Sequence, residues 1–249
     1  MLATLQSVFQ KYQQIEVPVR NAIAAQFSVQ IVNTAFFLLL NYYMADEGYA
    51  DYQIANVVSF RFLAVFVLAL PIGFWIKGRR LKPFFATAAI ANPFFAHLLL
   101  LSIARHWDFA VNAFAMLWGL SYMCVQVTIL PFILLNGRKE RHSEAFSLSF
   151  LSMNGMIALV GFMNYLLHRI DPELFSVQHV LQGVATLSVV GIYFVWRIRG
   201  PEHLSEKVPF REIRNKYDWR HIIQALTPTF IIAVGAGFTI PVINLFFMN

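Results

Sequence analysis

The chain has 249 residues, of which 58% are hydrophobic, 16% aromatic and 13% charged, whereas about 25% of the residues of an ordinary soluble domain are charged. Such a chain cannot build the charged surface that keeps a globular protein in water, so a water-soluble fold is excluded and lipid is the expected solvent. The single cysteine, Cys124, excludes an intrachain disulfide and a Cys-x-x-Cys site, and the net charge of +6 has to be located before it indicates a partner.

Seven long stretches contain no Asp, Glu, Lys or Arg, apart from Arg61 in the second. Each has at least the roughly 20 apolar residues that a helix needs to cross the hydrocarbon core. Their apolar runs lack the period-two alternation of barrel strands. The sequence therefore predicts an all-α, polytopic membrane protein with about seven transmembrane helices. The predicted spans are 21–45, 52–76, 83–104, 109–137, 145–168, 174–196 and 221–249.

The basic residues are distributed unequally between the two sides of the predicted bundle. Sixteen of the 19 lie in the N-terminal stretch and in the loops after the second, fourth and sixth spans, whereas the opposite loops hold only Arg105 and Arg169. The positive-inside rule then places the N-terminus in the cytoplasm. We expect a multi-pass protein of the cell (inner or plasma) membrane, with the lipid bilayer and no nucleic acid as partner, because the positive charge reflects topology.

Composition also divides the chain into four segments. The N-terminal segment has Leu2, Leu5 and Phe9 at helical spacing, which suits both a helix on the membrane surface and a frayed polar tail. The linker after the sixth span opens with Gly200 and Pro201 and is charged nearly throughout. The predicted segments are a cytoplasmic or interfacial stretch at 1–20, a six-helix bundle at 21–199, a basic cytoplasmic linker at 200–220 and the first helix of a second, incomplete bundle at 221–249.

Arg61 is the one charge inside a span. It follows Tyr52 by nine positions, or about 14 Å of helix, and an arginine at the centre of a membrane helix costs about 2.5 to 3.5 kcal/mol. The spans contain no carboxylate to pair with it. Its partner is a backbone carbonyl, a residue outside these spans or the anionic group of a solute held bidentately, unless the side chain snorkels outward toward Asp51.

Two further spans carry polar stripes that should not face lipid. The first span has amide side chains on one helical face, and the fourth has an indole, a phenol and an amide at four-residue spacing. Such stripes line either a watered cavity or a hydrogen-bonded helix contact. The candidate solute-binding residues are Arg61, Gln26, Gln30, Asn33, Trp118, Tyr122, Gln126 and, in the last span, Asn244.

Several other functions lack their residues. The seven histidines are scattered and never form His-x-x-x-His or His-Glu-x-x-His. The last span has no lysine for a retinal Schiff base, and no Gly-rich loop ends in Gly-Lys-Ser/Thr. We therefore expect no enzyme activity, no cofactor and no metal.

The stretch from Pro71 through the Lys77-Gly78-Arg79-Arg80 cluster resembles the signature of the loop between helices 2 and 3 in the major facilitator superfamily. The layout of six spans and a long basic linker, and the glycines and proline around Asn244, are similar to that family as well. The resemblance implies a transporter with two six-helix halves and a cavity lined by helices 1, 4 and 7. It also implies an apparently truncated chain whose partner is the missing C-terminal half, and a gating loop of Gly73, Lys77, Gly78, Arg79 and Arg80.

The sequence departs from that family at specific points. The usual acidic residue of the signature is absent, since Ile76 and Lys77 stand between Trp75 and Gly78, which argues against a charge-relay gate in this loop. The helix 4 and helix 5 motifs of proton-driven drug antiporters are missing too.

Two functional hypotheses follow. The first is a secondary active or facilitative transporter of a small polar solute, anionic or neutral, which works by alternating access and uses Arg61 as a counter-charge. The alternative is a non-transporting membrane receptor or interaction module, which predicts dry helix interfaces in place of a watered cavity.

Overall fold

The computed structural model describes residues 12–199 and 202–205, together with residues 218, 220, 221, 223, 224, 226–228, 231 and 232. The described part from residue 12 to residue 199 consists of helices joined by short turns. The described residues from 220 to 232 are helical as well. The helices are α1 (Val17–Asp46), α2 (Asp51–Trp75), α3 (Lys82–Ala104), α4 (Asp108–Asn136), α5 (His142–Ile170), α6 (Val177–Leu187) and α7 (Val190–Trp196), with a 3₁₀ turn at Lys139–Arg141.

Six of the predicted spans are present as helices long and apolar enough to cross a membrane, α6 and α7 together forming the sixth. The described part of the chain is therefore all-helical, and the chain is a multi-pass membrane protein, as the charge-free stretches predicted. Most of the predicted seventh span, including Asn244, lies outside the described residues, so the count of seven stays a prediction.

Local sequence sets where several helices begin and end. α1 begins at Val17, four residues before the charge-free stretch, because Pro18 is compatible with the first helical turn. The predicted interfacial segment at 1–20 thus gives its last four residues to α1. The same helix ends at Asp46. Gly48, two residues later, has a φ of +83°, which suits glycine, and the Tyr49 amide donates to the Met44 carbonyl at 3.0 Å in a Schellman-type end.

The sixth span is interrupted, although its sequence predicted one continuous helix. Between α6 and α7 the backbone bonds shorten to three-residue spacing, with Val189 N donating to Thr186 O at 3.2 Å and Gly191 N to Ser188 O at 2.8 Å. This tightening is the 3₁₀ pattern. It lies where Gly191 meets α1 closely, since a Cβ at Gly191 would lie 3.0 Å from the Ser28 Cβ.

α1 is the central helix and contacts each of the six others, whereas α2 packs chiefly on α4 and touches α1 only lightly. The core has two clusters. One contains Phe36 and Trp118, whose ring centroids lie 5.0 Å apart, and the other contains Phe85 and Phe132, at 5.4 Å. Large apolar side chains of α2 and α5 remain exposed, as lipid-facing helices require.

The described parts of the segments rich in Lys and Arg meet at one end of the bundle, here called the basic end. Side-chain bonds tie the start of α1, the loop after α2 and the chain after α7 together there. The contacts at the basic end are Asn21 Nδ2 to Arg197 O at 3.0 Å, Lys82 Nζ to Ile198 O at 2.6 Å and the Arg138–Glu16 ion pair at 3.1 Å. At the opposite end of the bundle, the Tyr49 hydroxyl donates to the Ile103 carbonyl at 3.2 Å.

Candidate solute site around Arg61

Arg61 lies inside the bundle, with 8% of its surface exposed. It sits on the face of α2 that packs against α4, where Gly119 allows the two helices to approach closely. A Cβ at Gly119 would lie 2.9 Å from Arg61 Cγ and 3.1 Å from the Arg61 carbonyl oxygen. The side chain therefore occupies a space that a larger residue at position 119 would fill.

The guanidinium has neutral partners. Its Nη2 donates to Asn33 Oδ1 on α1, and its central carbon lies 3.9 Å from the centroid of the Trp118 ring, a cation–π contact. Within the part of the chain that the structure describes, no carboxylate pairs with Arg61. The side chain points inward to Asn33 instead of outward to Asp51, and its charge is solvated by an amide and a ring face but not neutralised.

A small cavity of about 20 Å³ adjoins Arg61 and Trp118, large enough for about one water molecule. Trp118 is fully buried, and its indole Nε1 has no hydrogen-bond partner among the described residues. A buried donor without a partner costs about 1 to 3 kcal/mol, so it marks a position where a polar group or water would be stabilised.

A second cavity of about 240 Å³ lies between α2 and α4 toward the end opposite the basic end. It shares Val57 with the cavity beside Arg61, so the two adjoin. Sequence analysis did not predict this cavity, here called the vestibule, because it considered the polar stripes of the first and fourth spans but not the residues at the start of the second. The spacing of Gln53, Val57 and Arg61, four residues apart on one face of α2, is the signal that indicates it. Its walls are Tyr49, Tyr52, Gln53, Asn56, Val57, Asp108, Val111 and Asn112.

The predicted amide stripe of α1 divides among three neighbouring helices. Asn33 meets Arg61 on α2. Gln30 accepts from the Tyr122 hydroxyl on α4 at 2.9 Å, and Gln26, fully buried, accepts from the Ser149 hydroxyl on α5 at 2.8 Å. The structure thus brings Asn33, Arg61 and Trp118 together, whereas Gln26 and Gln30 form helix contacts.

Two predicted site residues remain, Gln126 and Asn244. Gln126 is half-buried on α4, two turns beyond Trp118. Asn244 lies outside the described residues. Their roles in solute binding stay predictions.

The predicted gating loop connects α2 to α3 at the basic end. Gly78 has φ of +66°, a conformation that favours glycine. Lys77 and Arg79 lie over aromatic rings, with the Lys77 Nζ 5.5 Å from the Phe74 ring centroid and the Arg79 guanidinium 5.1 Å from that of Trp75. Arg80 is exposed. Gly73 was predicted to belong to this loop but lies within α2, near its end, with open space around it.

Residues 202–205, here called the clamp, cover this loop. The Glu202 carboxylate accepts from the backbone N–H of Leu81 at 2.6 Å and of Lys82 at 3.3 Å, at the start of α3. The Gly78 N–H donates to the Ser205 hydroxyl at 2.9 Å. The loop itself contains no acidic residue. The carboxylate that lies beside it is that of Glu202 in the clamp.

Metal ligation finds no support in the described residues, which hold no group of three or more His, Cys, Asp or Glu side chains arranged for an ion. Cys124 is half-buried in α4.

Comparison with known proteins leaves the function to be argued from this geometry. No protein-family model matches the chain, and no significant match to a curated protein is found. The likeness to the major facilitator superfamily therefore stays a prediction from the loop motif and the layout.

Proposed function

We propose that this protein is a secondary active or facilitative transporter of the major facilitator type, which moves a small solute with a carboxylate or phosphate group across the cell membrane. Its N-terminus would be cytoplasmic. The observation that carries the proposal is Arg61, a buried arginine with no carboxylate partner among the described residues, beside a cavity that adjoins a polar vestibule.

The guanidinium has capacity left for an anion. A guanidinium offers five N–H donors, and Asn33 is the one hydrogen-bond acceptor that the described residues give Arg61. Trp118 contacts its face, which leaves donors at the edge of the plane. Carboxylates and phosphates bind such an edge bidentately, and burial in a low-dielectric site strengthens the attraction.

Movement of α2 relative to α4 would open the site. The cavity beside Arg61 has about 20 Å³, against roughly 300 to 1,000 Å³ for sites of small organic molecules. Because residues of both α2 and α4 line the cavity and the vestibule, separation of these two helices would join the two spaces. Alternating access would then expose Arg61 to one side of the membrane at a time.

The alternative of a receptor or interaction module that transports nothing has its own support. The Gln26–Ser149 and Gln30–Tyr122 bonds are the dry interhelical contacts that a packed bundle predicts. Under this alternative, Arg61 and Asn33 would be one more helix contact.

Uptake by proteoliposomes tests the proposal. The native polypeptide is reconstituted, and uptake of radiolabelled succinate, lactate and inorganic phosphate is measured. We expect at least one of these anions to be taken up and Arg61→Gln to reduce that uptake about tenfold to a hundredfold, because hydrogen bonds to charged groups contribute about 1.5 to 3 kcal/mol. Arg61→Lys should have an intermediate effect, since it keeps the charge but loses the planar fork.

Arg105→Gln is the matched control, because Arg105 is exposed at the end of α3 and should not change uptake. Unchanged uptake in Arg61→Gln would overturn the counter-charge role. Failure of the folded wild-type protein to take up any of the three anions would favour the receptor or interaction module.

A further inference from the structure

A groove of about 580 Å³ with almost entirely apolar walls is distinct from the Arg61 site. It lies between α1, α5 and the break between α6 and α7. Arg20 lines one extremity. The wall on α1 continues from there to Ile31, over about 16 Å at helical rise, close to half of the roughly 30 Å hydrocarbon core. The length of the groove along α1 therefore matches the thickness of one leaflet of the bilayer.

The serines in its walls offer little to a polar ligand, since each hydroxyl donates to its own helix. Ser28 donates to the Ala24 carbonyl at 3.1 Å, Ser152 to Ser149 at 2.7 Å and Ser188 to Ala185 at 2.7 Å. Because these hydroxyl protons are already bonded to backbone carbonyls, the groove suits a long hydrocarbon chain.

A basic pocket of about 320 Å³ adjoins the groove at Arg20, which lines both. It also contains Arg197, Arg199 and Trp196, and all three arginines are exposed. Among the described residues no carboxylate pairs with any of them. The Trp196 indole, 5.2 Å from the Arg199 guanidinium, is of the type that lies among lipid headgroups.

We propose that this composite site binds one anionic phospholipid, with its phosphate on Arg20, Arg197 and Arg199 and one acyl chain in the groove. The positive charge of the arginines favours a lipid with an anionic headgroup. The apolar walls, as long as one leaflet is thick, favour an acyl chain of a lipid in the adjoining leaflet. Another helix or a protein would fill the groove but would not need the arginines, and a soluble phosphate would need the arginines but not the groove. The proposal is independent of what the Arg61 site carries.

Native mass spectrometry of the purified protein, titrated with dioleoyl phosphatidylglycerol or dioleoyl phosphatidylcholine, tests this site. We expect the anionic lipid to bind at least tenfold more tightly. The double variant Arg20→Gln/Arg199→Gln should lose about twenty-five-fold in affinity for it, since each arginine near an anionic headgroup contributes about fivefold. The control Arg79→Gln/Lys139→Gln removes the same charge at the basic end, away from the groove, and should bind as the wild type does. An equal loss in this control would show non-specific surface attraction and overturn the proposal.

The chain-binding part of the proposal needs its own variant. Ala24 lines the groove and is half-buried, so Ala24→Phe should block the chain and weaken phosphatidylglycerol binding tenfold or more. Ala91→Phe, at a half-buried position of α3 outside the groove, controls for the added ring, and the unfolding midpoint of each variant reports folding. Unchanged binding in a folded Ala24→Phe protein would show that the groove holds something other than this lipid. Competition by water-soluble glycerophosphoglycerol at the lipid's own concentration would likewise overturn the proposal in favour of a phosphate site.

Discussion

At Gly119, the absence of a side chain sets how closely α4 approaches α2 and therefore where Arg61 lies. The nearest atoms to an added Cβ are Arg61 Cγ and, at 3.1 Å, the Arg61 carbonyl oxygen. A side-chain carbon can shift, but a helical backbone oxygen moves only with its helix. Any residue other than glycine at position 119 must push the two helices apart.

Gly119→Ala should therefore destabilise the protein. We expect a loss of about 1 to 3 kcal/mol from overpacking, offset by up to about 1 kcal/mol from the better helix propensity of alanine. The thermal unfolding midpoint in mild detergent would fall, by about 2 to 4 °C for each kcal/mol lost in a chain of this size. Gly161→Ala is the matched control, because nothing lies within 4 Å of its added Cβ, and its midpoint should stay or rise. Equal midpoints in the two variants would contradict the close approach.

Sequence predicted Arg61 as a site residue, but not how its charge is solvated. A lone arginine within a charge-free stretch stands out by position, and Asn33 and Trp118 stand out as polar or aromatic members of stripes. Gly119 carried no such signal, since a helical glycine shows its purpose only when the partner helix is known. The Asn33–Arg61–Trp118 group joins three helices, and no spacing along one helix predicts that.

The clamp stabilises a helix as a whole, because a residue from a distant part of the chain caps the start of α3. The first amides of a helix have no partner within it, and here Glu202 accepts from two of them, Leu81 N and Lys82 N. A carboxylate at this helix end is also favoured by the helix dipole. Lys82 returns a bond to the Ile198 carbonyl at 2.6 Å, so loop and linker hold each other in place.

Removal of this cap should loosen the loop between α2 and α3. Loss of a helix cap costs about 0.5 to 2 kcal/mol, so in Glu202→Ala we expect hydrogen exchange at the Leu81 and Lys82 amides to accelerate about tenfold. Hydrogen–deuterium exchange mass spectrometry of the loop peptide measures this directly. Glu173→Ala, at an exposed glutamate near the opposite end, should leave the peptide unchanged. Equal exchange in the wild type and Glu202→Ala would refute the capping role.

Elements were predictable to the extent that membrane physics alone determines them. The limits of the six described spans lie within about four residues of where the charges begin and end, since a charged side chain is costly in the hydrocarbon core. The break between α6 and α7 was not predictable, because it coincides with tertiary packing of Gly191 on Ser28. Helix propensity gives no warning of such a break, since Val189 and Val190 are acceptable within a membrane helix.

For the whole molecule, charge distribution and fold agree. The start of α1 and the loops after α2 and α4 share the basic end with the chain after α7, whereas Asp108 and the Tyr49–Ile103 contact lie at the other. Two membrane crossings separate each of these basic segments from the next, so all of them must lie at the same end of the bundle. The fold therefore separates the two ends by charge, and the positive-inside rule predicts that the basic end faces the cytoplasm.

Single cysteines test that orientation in the membrane. In a Cys124→Ser background, Glu140→Cys lies at the basic end and Glu173→Cys near the opposite end, and both positions are exposed. A membrane-impermeant maleimide added to intact cells should label Glu173→Cys, and it should label Glu140→Cys only after the membrane is permeabilised. The inverse pattern would reverse the cytoplasmic assignment and place the Arg20 lipid site in the outer leaflet, because the lipid site lies at the basic end. Labelling of both from outside would instead contradict the separation of the two ends by the bilayer, which every membrane-spanning interpretation of these helices requires.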